Sequence, residues 1–119
     1  MTLELPWPPS VNHYWTTARN GRRYISVEGQ RFREDVKGVV WDRMIKPIAG
    51  PLKVEIAAFP PDNRRRDIDN LLKSTLDALQ HAGVYADDYQ IADLRIVRQE
   101  AIDGGCVVVT VEKIIQKDC

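Results

Sequence analysis

The chain has 119 residues, 44% of them hydrophobic and 29% charged, which is enough for one hydrophobic core and argues against disorder. No run of about 18 apolar residues is present, which excludes a membrane-spanning helix, and Met1 to Pro6 lack the basic start and apolar stretch of a secretory signal, so a cytoplasmic protein is expected. The formal net charge is zero, but residues 1–66 hold 12 Lys/Arg against 7 Asp/Glu and residues 67–119 hold 5 against 10, so a neutral total hides a basic first half and an acidic second, a split that hints at nucleic acid.

In chain order, Leu3 and Leu5 alternate with Thr2 and Glu4 as in a short strand. Pro6-Trp7-Pro8-Pro9-Ser10 reads as a stiff extended loop, because three prolines remove backbone donors and fix φ. Residues 12–23 continue as a loop with aromatic and basic side chains and a tight turn at Asn20-Gly21; Tyr24-Ile25 form a brief strand. Ser26 is placed to cap a helix from about Val27 to Ile45, with Phe32, Val36, Val39, Val40 and Met44 on its buried face, ended by Pro47 and Gly50-Pro51. Leu52, Val54, Ile56 and Ala58 mark a half-buried strand.

Pro60-Pro61-Asp62-Asn63 breaks that strand. A second helix is predicted over about Asn70–Ala82, with Leu72, Leu76 and Leu79 on one face and Gly83 as its stop. Residues 90–99 and 106–112 read as two strands joined by a hairpin at Asp103-Gly104-Gly105, and the doubly apolar Cys106-Val107-Val108-Val109 marks the latter as central or covered on both faces. Cys106 and Cys119 are read as free thiols rather than a disulfide. The expected fold is α+β: one domain over residues 1–119, a mixed sheet of about five strands with two helices packed on it.

Three carboxylate positions carry the chemistry. Asp67 and Asp69 are two apart, which in an extended segment puts both on one face just before a helix. Such close like charges repel unless a cation lies between them, and a hard divalent ion such as Mg²⁺ prefers carboxylate oxygens while keeping several waters. Asp87-Asp88 lie past the far end of the same helix. A helix of about 13 residues spans about 20 Å, so this turn reaches Asp67 only if another sheet edge folds back or a second subunit supplies it. Plain roles compete with ligation: Asp69 as a helix cap, Asp67 as a solvated ion pair beside Arg66, Asp87-Asp88 as turn residues. Lys73, one turn after Asp69, is either an exposed i,i+4 partner or an ammonium poised by a scissile phosphate.

Arg64, Arg65 and Arg66 abut the acidic pair, and guanidinium forks match phosphate. Trp7, Tyr14 and Trp15 interleave with Arg19, Arg22 and Arg23, a pattern suited to unpaired or distorted nucleic acid. His13 is read as a satisfied loop histidine. Zinc-type Cys/His spacing, a phosphate-binding glycine loop and a Ser-His-Asp set are all missing.

Taken together, Leu5-Pro6-Trp7-Pro8-Pro9-Ser10, Asn12, Arg65-Arg66-Asp67-Ile68-Asp69-Asn70-Leu71 with Lys73, Asp77-Ala78-Leu79, Gly83-Val84 and Asp87-Asp88 with Gln90 resemble the RusA family of Holliday-junction resolvases, in order and spacing over nearly the whole chain. The resemblance implies that Asp67, Asp69 and Asp88 are catalytic, metal-holding carboxylates and Lys73 an auxiliary catalytic residue, with Asp87 and Asn70 secondary. It also implies Mg²⁺, a homodimer and paired symmetric nicks in four-way junction DNA during recombination and repair, with a phage or prophage origin open. The rival expectations are a DNA-binding module with a structural acidic cluster, a metal-dependent nuclease for another branched DNA or RNA, and a small protein-interaction domain.

Overall fold

The computed structural model describes residues 1–115; Cys119, and with it any pairing to Cys106, lies outside the described residues. The order is β1 (Thr2–Pro6), α1 (Val11–Tyr14), β2 (Trp15–Thr17), β3 (Arg23–Ile25), α2 (Val27–Asp42), β4 (Leu52–Phe59), a 3₁₀ turn (Ile68–Leu71), α3 (Leu72–His81), a second 3₁₀ turn (Asp88–Gln90), β5 (Ile91–Arg98) and β6 (Cys106–Lys113). The expected α+β class with a mixed sheet is what forms, as a four-stranded sheet ordered β1-β6-β4-β5 beside a two-stranded β2-β3 hairpin.

Period-two patterning explains the core. The register places Leu3 beside Val109, Leu5 beside Val107, Ile56 beside Val109 and Ala58 beside Val107. These side chains share one face of the pleat, and they join Phe32, Val36 and Val40 of α2 and Ala78 and Leu79 of α3 in one buried cluster. β6 is central, as its doubly apolar run implies, lying between β1 and β4 and antiparallel to both.

The expected hairpin between the last two strands does not form. β5 pairs parallel with β4 on the far side from β6, so the chain leaves β5 and crosses over β4 before returning as β6. The turn itself is real: Gly104 and Gly105 have φ of +80° and +65°, and a Cβ at Gly105 would meet the Pro61 backbone nitrogen at 2.9 Å. Turn chemistry reports a reversal but not which neighbour the returning strand pairs with.

Ser26 caps α2 as expected, accepting from the Gly29 N–H at 2.9 Å. The helix ends at Asp42, short of Ile45, because Met44 takes a left-handed φ of +54°. Met44 is consequently 85% exposed rather than part of the buried face. In α3 the buried face is Ser74, Thr75, Ala78 and Leu79, while Leu72 and Leu76 are only partly covered. The two buried hydroxyls are satisfied: Ser74 Oγ donates to the Pro9 carbonyl at 2.7 Å and Thr75 Oγ1 to the Leu71 carbonyl at 2.7 Å. The first of these pins the proline loop against α3.

Candidate active site

Asp67 stands in extended backbone (φ −77°, ψ 128°) at the cap position of the Ile68–Leu71 turn, and Asp69 is the second residue within it. The segment is therefore not extended through both carboxylates, and Asp67 rather than Asp69 occupies the capping position. Its side chain makes no capping bond. Both residues are exposed. Among the described residues the ion pairs are Arg33–Asp77, Arg64–Asp62 and Arg66–Asp62, so neither Asp67 nor Asp69 is held in one.

The Arg66–Asp67 and Lys73–Asp69 pairs considered from sequence are thus not made. Arg66 turns back instead: its Nη1 lies 2.7 Å from Asp62 Oδ1. Asp62 also accepts from the Arg64 N–H at 2.9 Å. The Arg66 guanidinium, followed by that backbone N–H, holds the Asp62 carboxyl down at about 2. From β5, Arg98 Nη2 donates to the Arg66 carbonyl at 2.7 Å. Sequence reasoning does not single out Asp62 or Arg98; they shape the loop that delivers Asp67, and only the tertiary contact identifies Arg98.

Arg64 and Arg65 remain exposed, the former held only by a 3.7 Å contact to Asp62. Two concavities meet here. One of about 460 Å³ is lined by Trp7, Arg64, Arg65, Asp67, Arg98 and Glu100. Another of about 720 Å³ is lined by Trp7, Pro8, His13, Arg65, Asp67 and Asn70. Trp7, Arg65 and Asp67 belong to both, so a carboxylate faces a continuous groove with arginines and an indole along it. Lys73 is exposed in the first turn of α3.

The frame behind the groove is a polar knot. Tyr14 is fully buried, its hydroxyl donates to Asp77, and Arg33 Nη2 bonds the same carboxylate at 2.6 Å. Burial first, then the hydrogen bond to Asp77, pushes the Tyr14 phenol well above its ordinary range. The knot ties α1, α2 and α3 together. It also removes Tyr14 as a stacking surface. Trp15 packs edge-on against Tyr14, centroids 5.5 Å apart, with the Arg23 guanidinium 5.2 Å over its ring. Arg19, Arg22 and Arg23 are exposed on the β2–β3 hairpin, whose turn Asn20 braces by accepting from the Arg22 N–H at 3.0 Å. His13 Nδ1 is 2.9 Å from Ser10 Oγ, a satisfied histidine as expected, though it stands in α1 rather than in a loop.

Asp87 and Asp88 lie past the other end of α3. The Asp87 carboxylate caps the second 3₁₀ turn, accepting from the Tyr89 N–H at 2.9 Å, while Gln90 closes the box from the other side. Gln90 Nε2 also donates to the Ile48 and Gly50 carbonyls, each at 2.9 Å. Asp88 is exposed, and its N–H donates to Gln80 Oε1 at 3.0 Å. Gln80 follows Asp69 by eleven positions, about 16 Å of helix. Asp67 and Asp69 stand two positions apart at the Ile68–Leu71 turn before α3, while Asp88 lies in the turn past its far end. No group of three or more His, Cys, Asp or Glu able to hold a metal ion forms among the described residues.

A small α+β domain that sets an exposed carboxylate, with a second two positions on, beside an arginine-lined groove has the make-up of a nucleic-acid-processing protein. Residues 6–112 match the family described as endodeoxyribonuclease RusA, and the chain belongs to that family. It is 41% identical over 114 residues to the crossover junction endodeoxyribonuclease RusA of Shigella sonnei (strain Ss046), covering 95% of this chain and 94% of the relative. Against the protein of the same name from Escherichia coli K12 the figures are 40%, 95% and 94%. The phage counterpart, from Enterobacteria phage 82, is 42% identical over 113 residues, covering 94% of this chain and 93% of the relative.

Proposed function

We propose that this chain is a crossover junction endodeoxyribonuclease, a Mg²⁺-dependent homodimer that resolves four-way DNA junctions by paired, symmetric nicks in recombination and repair. One observation carries the reading: in a member of the RusA family, the exposed Asp67 lines an arginine-bearing groove with the exposed Asp69 two positions on, and among the described residues neither has an ion-pair partner. Hydrolysing a phosphodiester requires both a basic surface for the backbone and carboxylates that place a hard cation at the scissile group.

The donor set fits Mg²⁺ in kind, being solvent-facing carboxylate oxygens, and among the described residues of one chain it falls short in number. Asp67 and Asp69 supply one half of the site. Asp88, held in place through Gln80 and Gln90, supplies the remainder from a second subunit, which also gives a two-fold dimer two equivalent sites for a substrate of near two-fold symmetry. When bound, the ion polarises the phosphoryl group and activates water. Arg64 and Arg65 hold the phosphate backbone, Trp7 offers a face to a distorted base, and Lys73 neutralises charge developing on the phosphate. Asp87 and Asn70 act by shaping the two turns. Arg19, Arg22 and Arg23 extend the basic surface along the hairpin. The phage relative supports a phage or prophage origin and, with it, work on intracellular DNA.

The test is a mobile synthetic four-way junction offered with and without Mg²⁺, in competition with flapped duplex, linear duplex and RNA. Selective, metal-dependent nicking of the junction is expected. Asp67→Asn and Asp88→Asn should each lose nicking and keep junction binding. Binding without any cutting by the unmodified chain refutes catalysis, and faster cutting of flap or RNA refutes the junction assignment.

A further inference from the structure

We propose that the concavity of about 720 Å³ beside Asp67 is a nucleobase pocket: it takes one base swung out of the stack at the branch of a junction, with Trp7 and Pro8 against its face and Asn70 against its edge. The substrate is that of the resolvase reading above, on which the pocket rests; what the pocket adds is a means of telling a branch from plain duplex.

The volume falls within the range of about 300–1,000 Å³ that small-molecule pockets occupy. Part of the lining is flat, apolar and fixed before anything binds. Trp7 packs partly on the hydrophobic core, and Pro8 is buried. Pro6, Pro8 and Pro9 hold φ along this loop, and Ser74 Oγ pins it by donating to the Pro9 carbonyl at 2.7 Å. A base stacking on such a surface freezes few further rotors of the protein.

The rest of the lining is polar and has hydrogen-bonding capacity left over. Among the described residues three amide side chains are half-buried, those of Asn70, Gln80 and Gln90. Gln80 and Gln90 are both spent on holding the Asp88 turn. Asn70 differs: its backbone N–H donates to the Asp67 carbonyl at 3.2 Å, while its side-chain amide bonds nothing among the described residues and lines the cavity. A carboxamide offers a donor and an acceptor side by side, which is the pattern that a base edge can meet. His13 lends a second group. Ser10 Oγ engages its Nδ1 at 2.9 Å, which orients the ring and leaves Nε2 without a partner among the described residues.

The cavity's place matters as much as its lining. Arg65 and Asp67 line both this cavity and the adjoining one of about 460 Å³. A base seated here hangs from a backbone that passes the exposed Arg65 guanidinium and the carboxylate that serves the cut in the resolvase reading. Within duplex, the faces of a base are covered by its neighbours and its pairing edge by its partner, so this lining reaches only a base that has left the stack. Leaving is costly in duplex and least so where pairing is already broken, as at a branch point. Paired bases stay out, and the cavity selects by structure before any bond is cut.

The test is binding, measured without metal so that nothing is cut. Single abasic sites are placed in turn at the nucleotides flanking the branch of a fixed synthetic four-way junction, and affinity is measured for the unmodified chain, Trp7→Leu and Asn70→Ala. Trp7→Leu should weaken binding of the intact junction about five-fold or more. That penalty should vanish when the abasic site falls at one particular nucleotide, because the base that stacked is gone. Asn70→Ala should behave likewise, and should also level the affinities of junctions that differ only in which base stands at that nucleotide. A variant that merely loosened the fold would bind every junction worse by the same factor. Asn70 lies in a turn and outside the buried core, so its variant decides the matter even where Trp7→Leu does not fold. No penalty, an equal penalty at every abasic position, or a chain that binds no junction overturns the pocket. Coupling at one nucleotide without any Mg²⁺-dependent nicking leaves the pocket standing and the resolvase reading fallen; Mg²⁺-dependent nicking of the junction without coupling at any nucleotide does the reverse.

Discussion

If Asp88 completes the site in trans, two inactive chains should restore one another. Two carboxylate oxygens on one Mg²⁺ lie within about 4.2 Å, given metal–oxygen distances of about 2.1 Å. Asp69 and the Gln80 anchor of Asp88 are separated by about 16 Å of helix, a gap that side-chain rotation does not close. In a heterodimer of Asp67→Asn with Asp88→Asn chains, one composite site carries both substitutions and the other carries neither. Free exchange gives heterodimers in about half of all dimers, each with one of two sites intact, so nicking should recover to about one quarter of the unmodified rate. The product should be singly nicked junction, because no dimer has two working sites. The assay is strand-specific nicking of a labelled junction after the chains are mixed and exchange is verified with a size-tagged copy. The converse is equally sharp: a chain carrying both substitutions, mixed with unmodified chain, should leave its heterodimers with no intact site. Recovery of nicking by that second mixture to the level expected of one working site per heterodimer, with no recovery in the first, would falsify the trans arrangement.

Three further outcomes follow from the frame. Asp77→Ala strips Arg33 and Tyr14 of their shared acceptor; with both members of the pair less than a third exposed, the loss should be about 2 kcal/mol, or about 8 °C in Tm, read by thermal unfolding, while Arg33→Met with Asp77→Leu should cost less than the sum of the single changes. Tyr14 and Tyr85 both have folded-state phenols raised above their unfolded value, mainly by burial, so their contribution is fully present below about pH 10 and is lost as pH rises beyond it; urea midpoints should fall on the alkaline side, and less steeply in Tyr14→Phe. Gly29→Ala places a Cβ 2.5 Å from the Tyr14 carbonyl oxygen, which should destabilise by about 1–3 kcal/mol, whereas Gly38→Ala, with open space around it, should be neutral or mildly stabilising in the same melts.

Much of the fold is legible where a local rule suffices. The Ser26 cap, the alternation of Leu52 to Ala58 and the central character of β6 are each written in a few neighbouring residues, and each is present. Misreadings fall where a distant partner decides. Val11–Tyr14 reads as loop because a four-residue helix has no periodicity to show, and it is held by Tyr14 reaching Asp77 across 63 positions. The leucines announce the second helix, yet its buried face includes Ser74 and Thr75, whose hydroxyls are satisfied by carbonyls that only folding brings near.

The site divides in the same way. That carboxylates at 67 and 69 adjoin a run of arginines is a property of the chain itself, since chemistry carried by adjacent residues survives any fold. Which of those arginines stays open is not: Arg66 is tied to Asp62 and half-buried, whereas Arg65 is exposed at the groove. Nor does the order of residues reveal that β5 lies at a free edge, because strand pairing is settled by which apolar faces α2 and α3 cover. Short-range patterning wrote the elements and the reactive groups; long-range burial and pairing decided which groups face one another, because those energies exist only between parts of the chain that are remote until it folds.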